Sequence, residues 1–389
     1  MRTIAVITTS RADYYILRNV LEEIRNDAGL KLQVIATGMH LSPRHGYTVT
    51  EIEKDGFQVH KKVEMLLDAD SDTGSAKAIS LCLNGMTDAL HDLKPDIVVL
   101  LGDRYELLAP AIASLMLRIP VAHIHGGETT EGAIDDAVRH AITKIASLHF
   151  TATEEYRQRI IQMGEQPDSV ITTGAPGLDS IGSMQLYSKD ELERELSFSL
   201  NGTTAIVTYH PVTREKDSAL AHITALCEAI KETGIHAVFT ASNADPEGDT
   251  LNSYLREFAG SAPEKYVFRT NAGSRTYFSC LKHLDLMVGN SSSGIIEAPE
   301  FKMPVVNIGD RQKGRVRTEN VIDVGYGSHE ITEGIRKAAD ESFRTKLDNL
   351  KNPYRSKDGS SASRLIMEKL KSVQLTEDFL KKRFYDQKK

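Results

Sequence analysis

The chain has 389 residues, 40% of them hydrophobic and 26% charged, with a formal net charge of −7. That length carries two domains with substantial cores, and the acidic balance removes the general basic field that draws in nucleic acid. Cys82, Cys227 and Cys280 are odd in number and far apart, which resembles neither a disulfide framework nor a zinc site and suits a reducing cytosol.

No apolar run reaches the length of a membrane span, and because the first residues read directly as a strand no signal peptide is expected. A cytoplasmic protein with no membrane or nucleic-acid partner is expected. From the N-terminus, short apolar runs end in Gly or polar residues: "TIAVITTSRAD", "LQVIATGMH", "PDIVVLLGDRYE", "IPVAHIHGG", "ASLHFTATEE" and "SVITTGAPG". Between them lie stretches such as "YYILRNVLEEIRN", with apolar residues at helical spacing. β-Branched runs alternating with amphipathic helices predict a parallel sheet covered on both faces.

The connecting stretch "LYSKDELERELSFSLNG" reads as a helix and turn, and the pattern restarts after it. The second series is "TTAIVTYHPVTRE", "IHAVFTASNADPEG", "KYVFRT", "HLDLMVGNSSSGIIE" and "MPVVNIGDRQKGR". The predicted fold is α/β, with two Rossmann-like doubly wound domains and a cleft between them. The first spans residues 1–180 and the second 181–365, and a helical segment, 366–389, packs back on the first. Ligands in such folds bind beyond the carboxyl ends of the strands, so the polar strand tips are expected to line one site.

"GNSSSGIIE" (289–297) follows an apolar run and opens a helix. Its small residues permit close backbone approach, and helix N–H groups and dipole suit a diphosphate. Ser291 and Ser292 add hydroxyl donors, and Glu297, one to two turns into the helix, can accept from ribose hydroxyls. The plainer alternative is a Ser-rich cap with a solvated Glu. The stretch is neither a Walker loop nor a G-x-G-x-x-G fingerprint, which counts against ATP and NAD. Arg11 and Arg311 follow the first and last clear strands, where a guanidinium fork can reach phosphate oxygens or form an ordinary surface ion pair.

Acid–base groups gather in the first half. Asp103 follows five apolar residues in "LLGDRYE", where partial burial would raise a carboxylate's pKa toward a range useful for proton transfer. "HIHGGETTEGAIDDAVRH" (123–140) concentrates Glu128, Glu131, Asp135 and Asp136 where a strand hands over to a helix. That helix is predicted to bury Val138, Ala141, Ile142 and Ile145. Arg139 and His140 give each aspartate a basic neighbour on its face, although helix N-terminal stabilisation accounts for one of the two acids. His210 closes the first strand of the second half, and Pro211 aims it outward. No metal site and no cofactor are expected.

"TTSRADY", "TGMHL", "LGDRYE", "HIHGGE…GAIDDAVRHAITK", "HPVT", "SNAD", "GNSSSGIIE" and "NIGDRQKGR", in this order to about residue 330, together resemble the UDP-N-acetylglucosamine 2-epimerase family. They look closest to its hydrolysing branch, which serves bacterial sialic and legionaminic acid synthesis. The resemblance implies a glycosyltransferase-B-like pair of domains and a reaction in which UDP-N-acetylglucosamine, or a close derivative, and water give UDP and the 2-epimer, N-acetylmannosamine, through a glycal. It implies that Asp103 and Asp135 are the acid–base carboxylates, with Arg139 near them and His210 near the leaving diphosphate. Arg11, Ser291, Ser292, Glu297 and Arg311 match the UDP-binding set, as do Asp13 and Asn243 within their motifs. Tyr277 lies near the place of a uracil-facing aromatic. The family favours homodimers and homotetramers.

One departure stands out. Many relatives carry a glutamate where this chain has His125, so the resemblance leaves either His125, able to work near neutral pH, or Glu128 as the further proton carrier. UDP-N-acetylglucosamine is the expected substrate, with UDP-N,N′-diacetylbacillosamine the alternative, and no residue in the sequence separates them. A glycosyltransferase on the same architecture is the alternative from another class, since fold alone does not separate the two. A non-hydrolysing epimerase usually carries "H-V-E-A-G", which this chain lacks.

Overall fold

The computed structural model describes residues 1–67, 71–130, 134–210, 219–241, 248–270 and 272–387. The chain divides into two compact units. The first contains Met1–Glu128, Ile134–Gly182 and Tyr354–Lys389; the second contains Thr129–Ala133 and Ser183–Pro353.

The first unit is built on β1 (Arg2–Thr8), β2 (Leu30–Thr37), β3 (Val59–Val63), β4 (Ile97–Leu101), β5 (Val121–Ile124), β6 (Leu148–Thr151) and β7 (Val170–Thr172). Their order is β3-β2-β1-β4-β5-β6-β7, and every pairing is parallel. Alternation along the strands serves two cores. Ile4, Val6, Ile97 and Val99 meet Leu17, Leu21 and Ile24 of the helix Arg11–Asn26 on one face. Ala5, Ile7, Val98 and Leu100 meet Cys82, Met86 and Leu90 of the next long helix on the other. Such two-sided burial follows from the period of two, and each large apolar side chain so buried contributes about 1.5–3 kcal/mol. β1 connects towards one edge of the sheet and β4 towards the other, so their carboxyl ends flank the point where the winding reverses.

The second unit contains β8 (Thr204–Thr208), β9 (His236–Thr240), β10 (Tyr266–Arg269), β11 (Leu286–Gly289), β12 (Val305–Ile308) and β13 (Val321–Val324). Their order is β10-β9-β8-β11-β12-β13, again all parallel. The two doubly wound α/β units are those expected.

Two strands, β3 and β13, do not stand out in the sequence, and both lie at an edge. β3 reads "VHKKV" and is mostly half-exposed, with Lys62 paired to Glu53 at 2.8 Å. Charged residues of this kind blunt a sheet edge and also dilute the apolar signal. The linking helix Lys189–Leu196 starts with a Ser188–Glu191 capping box and buries Leu192 and Leu196 in the second unit.

The return to the first unit begins at Tyr354, ahead of residue 366. Tyr354 is fully buried, and its hydroxyl lies 2.8 Å from that of Tyr156. Ile366, Met367 and Leu370 of the helix Ala362–Ser372 join the core under Arg11–Asn26. Among the described residues, no helix is long and apolar enough to cross a membrane. All three cysteines are buried and free.

Candidate active site

At the end of β4, Gly102 takes φ +83°, and its N–H donates to the Ile124 carbonyl at 2.9 Å. Asp103 follows, and its carboxylate pairs with the guanidinium of Arg139. Arg139 is 1% exposed and Asp103 26%, so Asp103 sits partly buried in an ion pair at a strand end. Arg139 Nη1 also donates to the Glu128 carbonyl at 3.0 Å and to Asp136 at 3.4 Å. One buried guanidinium therefore joins the end of β4, the loop after β5 and the helix Ile134–Ile145.

That helix is turned from its expected face. Its buried residues are Val138, Arg139, Ile142 and Thr143, whereas Ala141 is exposed. Arg139 and Thr143 face inward because both find polar partners there, Asp103 and His123. Apolar periodicity alone does not detect such a stripe. Asp135 and Asp136 occupy the first turn half-buried, and Asp136 pairs with His140 at 3.5 Å. Glu131 lies outside the described residues.

β5 delivers the His-Ile-His-Gly-Gly run. His125 takes φ +63°, a conformation that costs a non-glycine residue on the order of 1–3 kcal/mol and tends to occur at functional sites. Its N–H donates to the Phe150 carbonyl at 3.0 Å. Its Nδ1 lies 2.5 Å from Glu128 Oε1, with the two side chains 12% and 4% exposed. The two residues between which the sequence leaves the proton carrier open therefore form a single hydrogen-bonded pair. Gly127, at φ +78°, has no room for a side chain: a Cβ there would stand 2.4 Å from the Tyr156 carbonyl oxygen.

The loop after β1 is self-organised. Asp13 is buried and accepts from Thr9 N at 2.8 Å, Ser10 N at 2.7 Å and both their hydroxyls at 2.9 Å. Its carboxylate is thus engaged in shaping the loop ahead of half-exposed Arg11, the first residue of its helix. Two neighbours that sequence reasoning passed over stand out. Glu106 is fully buried, accepts from Arg104 at 2.7 Å, and keeps Oε2 without a hydrogen-bond partner among the described residues. The signal for them was the unused remainder of "GDRYE".

In the second unit, the helix opened by "GNSSSGIIE" is a single turn, Ser293–Ile296, with Glu297 as its C-cap. Pro299 has no N–H to continue the ladder, and the chain passes into a 3-10 turn, Ala298–Phe301. Glu297 therefore closes this one turn, and the stretch carries little helix dipole. Ser291, Ser292 and Glu297 remain, each half-buried, and the Ser292 hydroxyl makes no cap bond. Gly289, at φ +143°, is obligatory: a Cβ would stand 1.9 Å from the Thr208 carbonyl oxygen.

Asn290 is the residue the sequence did not flag. Its side-chain amide accepts from His210 N and donates to His210 O, both at 2.8 Å, extending the β8–β11 pairing by one side chain. Its own carbonyl accepts from Arg311 Nη1 at 3.1 Å and Gln312 Nε2 at 2.9 Å. His210 and Arg311 thus meet through Asn290. Burial, and then the charge of Arg311, push the His210 pKa down to about 3, so its imidazole is neutral at physiological pH. Tyr277 lies in the helix Gly273–His283, half-buried against the core. Burial raises its pKa, while the hydroxyls of Ser293 and Thr208 oppose that shift. Asn243 lies outside the described residues.

Residues 22–371 match the family model described as UDP-N-acetylglucosamine 2-epimerase. The chain is 41% identical over 346 residues to the GDP/UDP-N,N′-diacetylbacillosamine 2-epimerase (hydrolyzing) of Campylobacter jejuni, covering 88% of this chain and 89% of that one. It is 38% identical over 389 residues to the polysialic acid biosynthesis protein P7 of Escherichia coli, covering 99% and 98% respectively. Among solved structures, UDP-GlcNAc 2-epimerase from Neisseria meningitidis bound to UDP-GlcNAc shares the fold, with a TM-score of 0.80 at 19% identity and 95% and 99% coverage. With relatives aligned along nearly their whole length and a family match over most of its own, this chain belongs to the UDP-N-acetylglucosamine 2-epimerase family.

Proposed function

We propose that the protein is a hydrolysing UDP-sugar 2-epimerase acting on a UDP-linked 2-acetamido hexose. The C2 proton is taken by an enzyme base while the C1–O bond breaks, its electron pair leaving with UDP and a C1=C2 glycal remaining. Water then adds its oxygen to C1, giving up a proton to an enzyme base, and an enzyme acid delivers a proton to the opposite face of C2. The products are UDP and the 2-epimer, with no redox change.

The observation that carries this reading is the pairing at the strand ends of the first unit. Asp103 is held by Arg139 and His125 by Glu128, and Arg139 also binds the Glu128 carbonyl. Proton removal and return at one carbon need two such groups. Asp103 and Asp135 are assigned as acid–base carboxylates and the His125–Glu128 pair as the further proton carrier. Neutral His210 is assigned to the leaving diphosphate. Arg11, Ser291, Ser292, Glu297 and Arg311 are assigned to UDP, together with Tyr277, Asp13 and Asn243 through their motifs. Residues 1–180 supply the acid–base groups in this scheme and 181–365 most of the nucleotide contacts.

The name of the Campylobacter jejuni relative favours UDP-N,N′-diacetylbacillosamine over UDP-N-acetylglucosamine as the sugar. Buried free thiols suit a cytoplasmic setting, and a homodimer or homotetramer is the assembly that sedimentation should find.

The test is incubation of the purified protein with each sugar nucleotide in D2O, following UDP release by phosphorus NMR and deuterium at C2 by proton NMR. UDP release with deuterium at C2 of an epimerised free sugar supports the proposal. Inertness toward both substrates rejects it, and a transferred sugar without deuterium points to a glycosyltransferase.

A further inference from the structure

We infer that His123 is a positioning residue, whose imidazole ties the end of β4, and with it Asp103, to the helix that carries Asp135 and Arg139. The inference rests on the assignment of Asp103 to proton transfer. His123 Nε2 lies 2.7 Å from the carbonyl oxygen of Gly102, the residue before Asp103. A carbonyl oxygen only accepts, so Nε2 carries the hydrogen and Nδ1 is bare. Nδ1 then accepts from the Thr143 hydroxyl, 3.1 Å away on the helix Ile134–Ile145.

The surroundings fix this arrangement. The ring is fully buried, and burial above all pushes its pKa down to about 3, with His149 and Arg139 lowering it and Asp103 and the Gly102 bond opposing. The imidazole therefore adds no charge beside Asp103 and Arg139. Gly126 leaves it space: a Cβ there would stand 3.0 Å from both His123 Nδ1 and Thr143 Oγ1. Asp103 is thus gripped twice, through the preceding carbonyl by His123 and through its carboxylate by Arg139. One grip comes from β5 and the other from the helix, and Thr143 joins the two. A shift of about 1 Å in a reacting group is worth roughly 100-fold in rate, which is the lever such a brace controls.

The experiment compares His123→Leu, His123→Gln and Thr143→Val in the full-length protein. His123→Leu removes both bonds, Thr143→Val removes one, and a glutamine amide restores a donor to Gly102. The expected result is a kcat for His123→Leu about 30- to 100-fold below wild type, with UDP affinity within about twofold and partial recovery in His123→Gln. A folded His123→Leu whose kcat lies within about threefold of wild type overturns the inference; should that variant not fold, Thr143→Val with unchanged kcat does so instead. Nitrogen-15 NMR of the His123 ring gives a readout independent of turnover. A persistent Nε2–H tautomer down to about pH 5 supports the brace, and an Nδ1–H tautomer or titration near the ordinary value of about 6.5 overturns it. Inertness of the wild-type enzyme would reject the reaction proposed above, and the ring tautomer would still decide the brace.

Discussion

His125 Nδ1 and Glu128 Oε1 share a hydrogen bond of 2.5 Å at the turn after β5. A nearly buried carboxylate on one ring nitrogen fixes the imidazole's orientation, as in a catalytic triad. The pair then works as one unit, so its two deletions should not add. Glu128→Gln is expected to lower kcat about 10- to 100-fold, and His125→Ala about 100-fold or more. The double variant should be no slower than His125→Ala, which a double-mutant cycle on UDP release measures.

The Asp103–Arg139 pair separates chemistry from stability. Asp103→Asn and Asp135→Asn should each lower turnover by about 100-fold or more while UDP still binds, as calorimetry would register. Arg139→Leu is different, because it removes the buried guanidinium that bonds both Asp103 and the Glu128 carbonyl. It should destabilise the fold by about 3–5 kcal/mol, read from denaturant midpoints. Arg139→Lys should rescue little, since a point charge does not replace a fork with several partners.

Acid should unfold the protein early. His123 and His210 are both held neutral, each with its pKa pushed by burial to about 3. In the unfolded chain they take up protons near pH 6.5, so the folded state binds fewer protons and stability falls as pH falls. The contribution is complete above about pH 6.5 and is lost progressively towards pH 3. At pH 5.5 the two together should cost about 3 kcal/mol relative to pH 8. His123→Gln should remove roughly half of that slope, which urea titrations across this range would show.

The architecture was legible because buried parallel strands advertise themselves as apolar runs, as in "IVVLL" of β4, all five residues of which are buried. Edge strands such as "VHKKV" were not, since charge at an edge looks like charge in a loop. In the site, the residue types at strand ends were legible, but their partners were not. Helical spacing reads Arg139 only as a basic neighbour of Asp135, and its burial against Asp103, 36 positions earlier, leaves no mark in that spacing. Asn290 was missed because its amide bonds the His210 backbone, and His123 because its partners are the Gly102 carbonyl and the distant Thr143 hydroxyl, none of which marks an apolar pattern.

The second unit gives a prediction of binding rather than rate. Asn290 holds both backbone polar groups of His210 and is held by Arg311 and Gln312. Ser292→Ala removes one neutral hydroxyl and should weaken UDP binding about 2- to 10-fold. Arg311→Ala removes a charged donor and should weaken it about 10- to 100-fold. Asn290→Ala leaves the His210 N–H and carbonyl buried without this partner, so it should weaken UDP binding and destabilise the fold by about 2–3 kcal/mol. Titration calorimetry with UDP, alongside kcat at saturating substrate, separates these effects. A kcat loss larger than the affinity loss in Ser292→Ala or Arg311→Ala would move that residue from nucleotide binding to the chemical step.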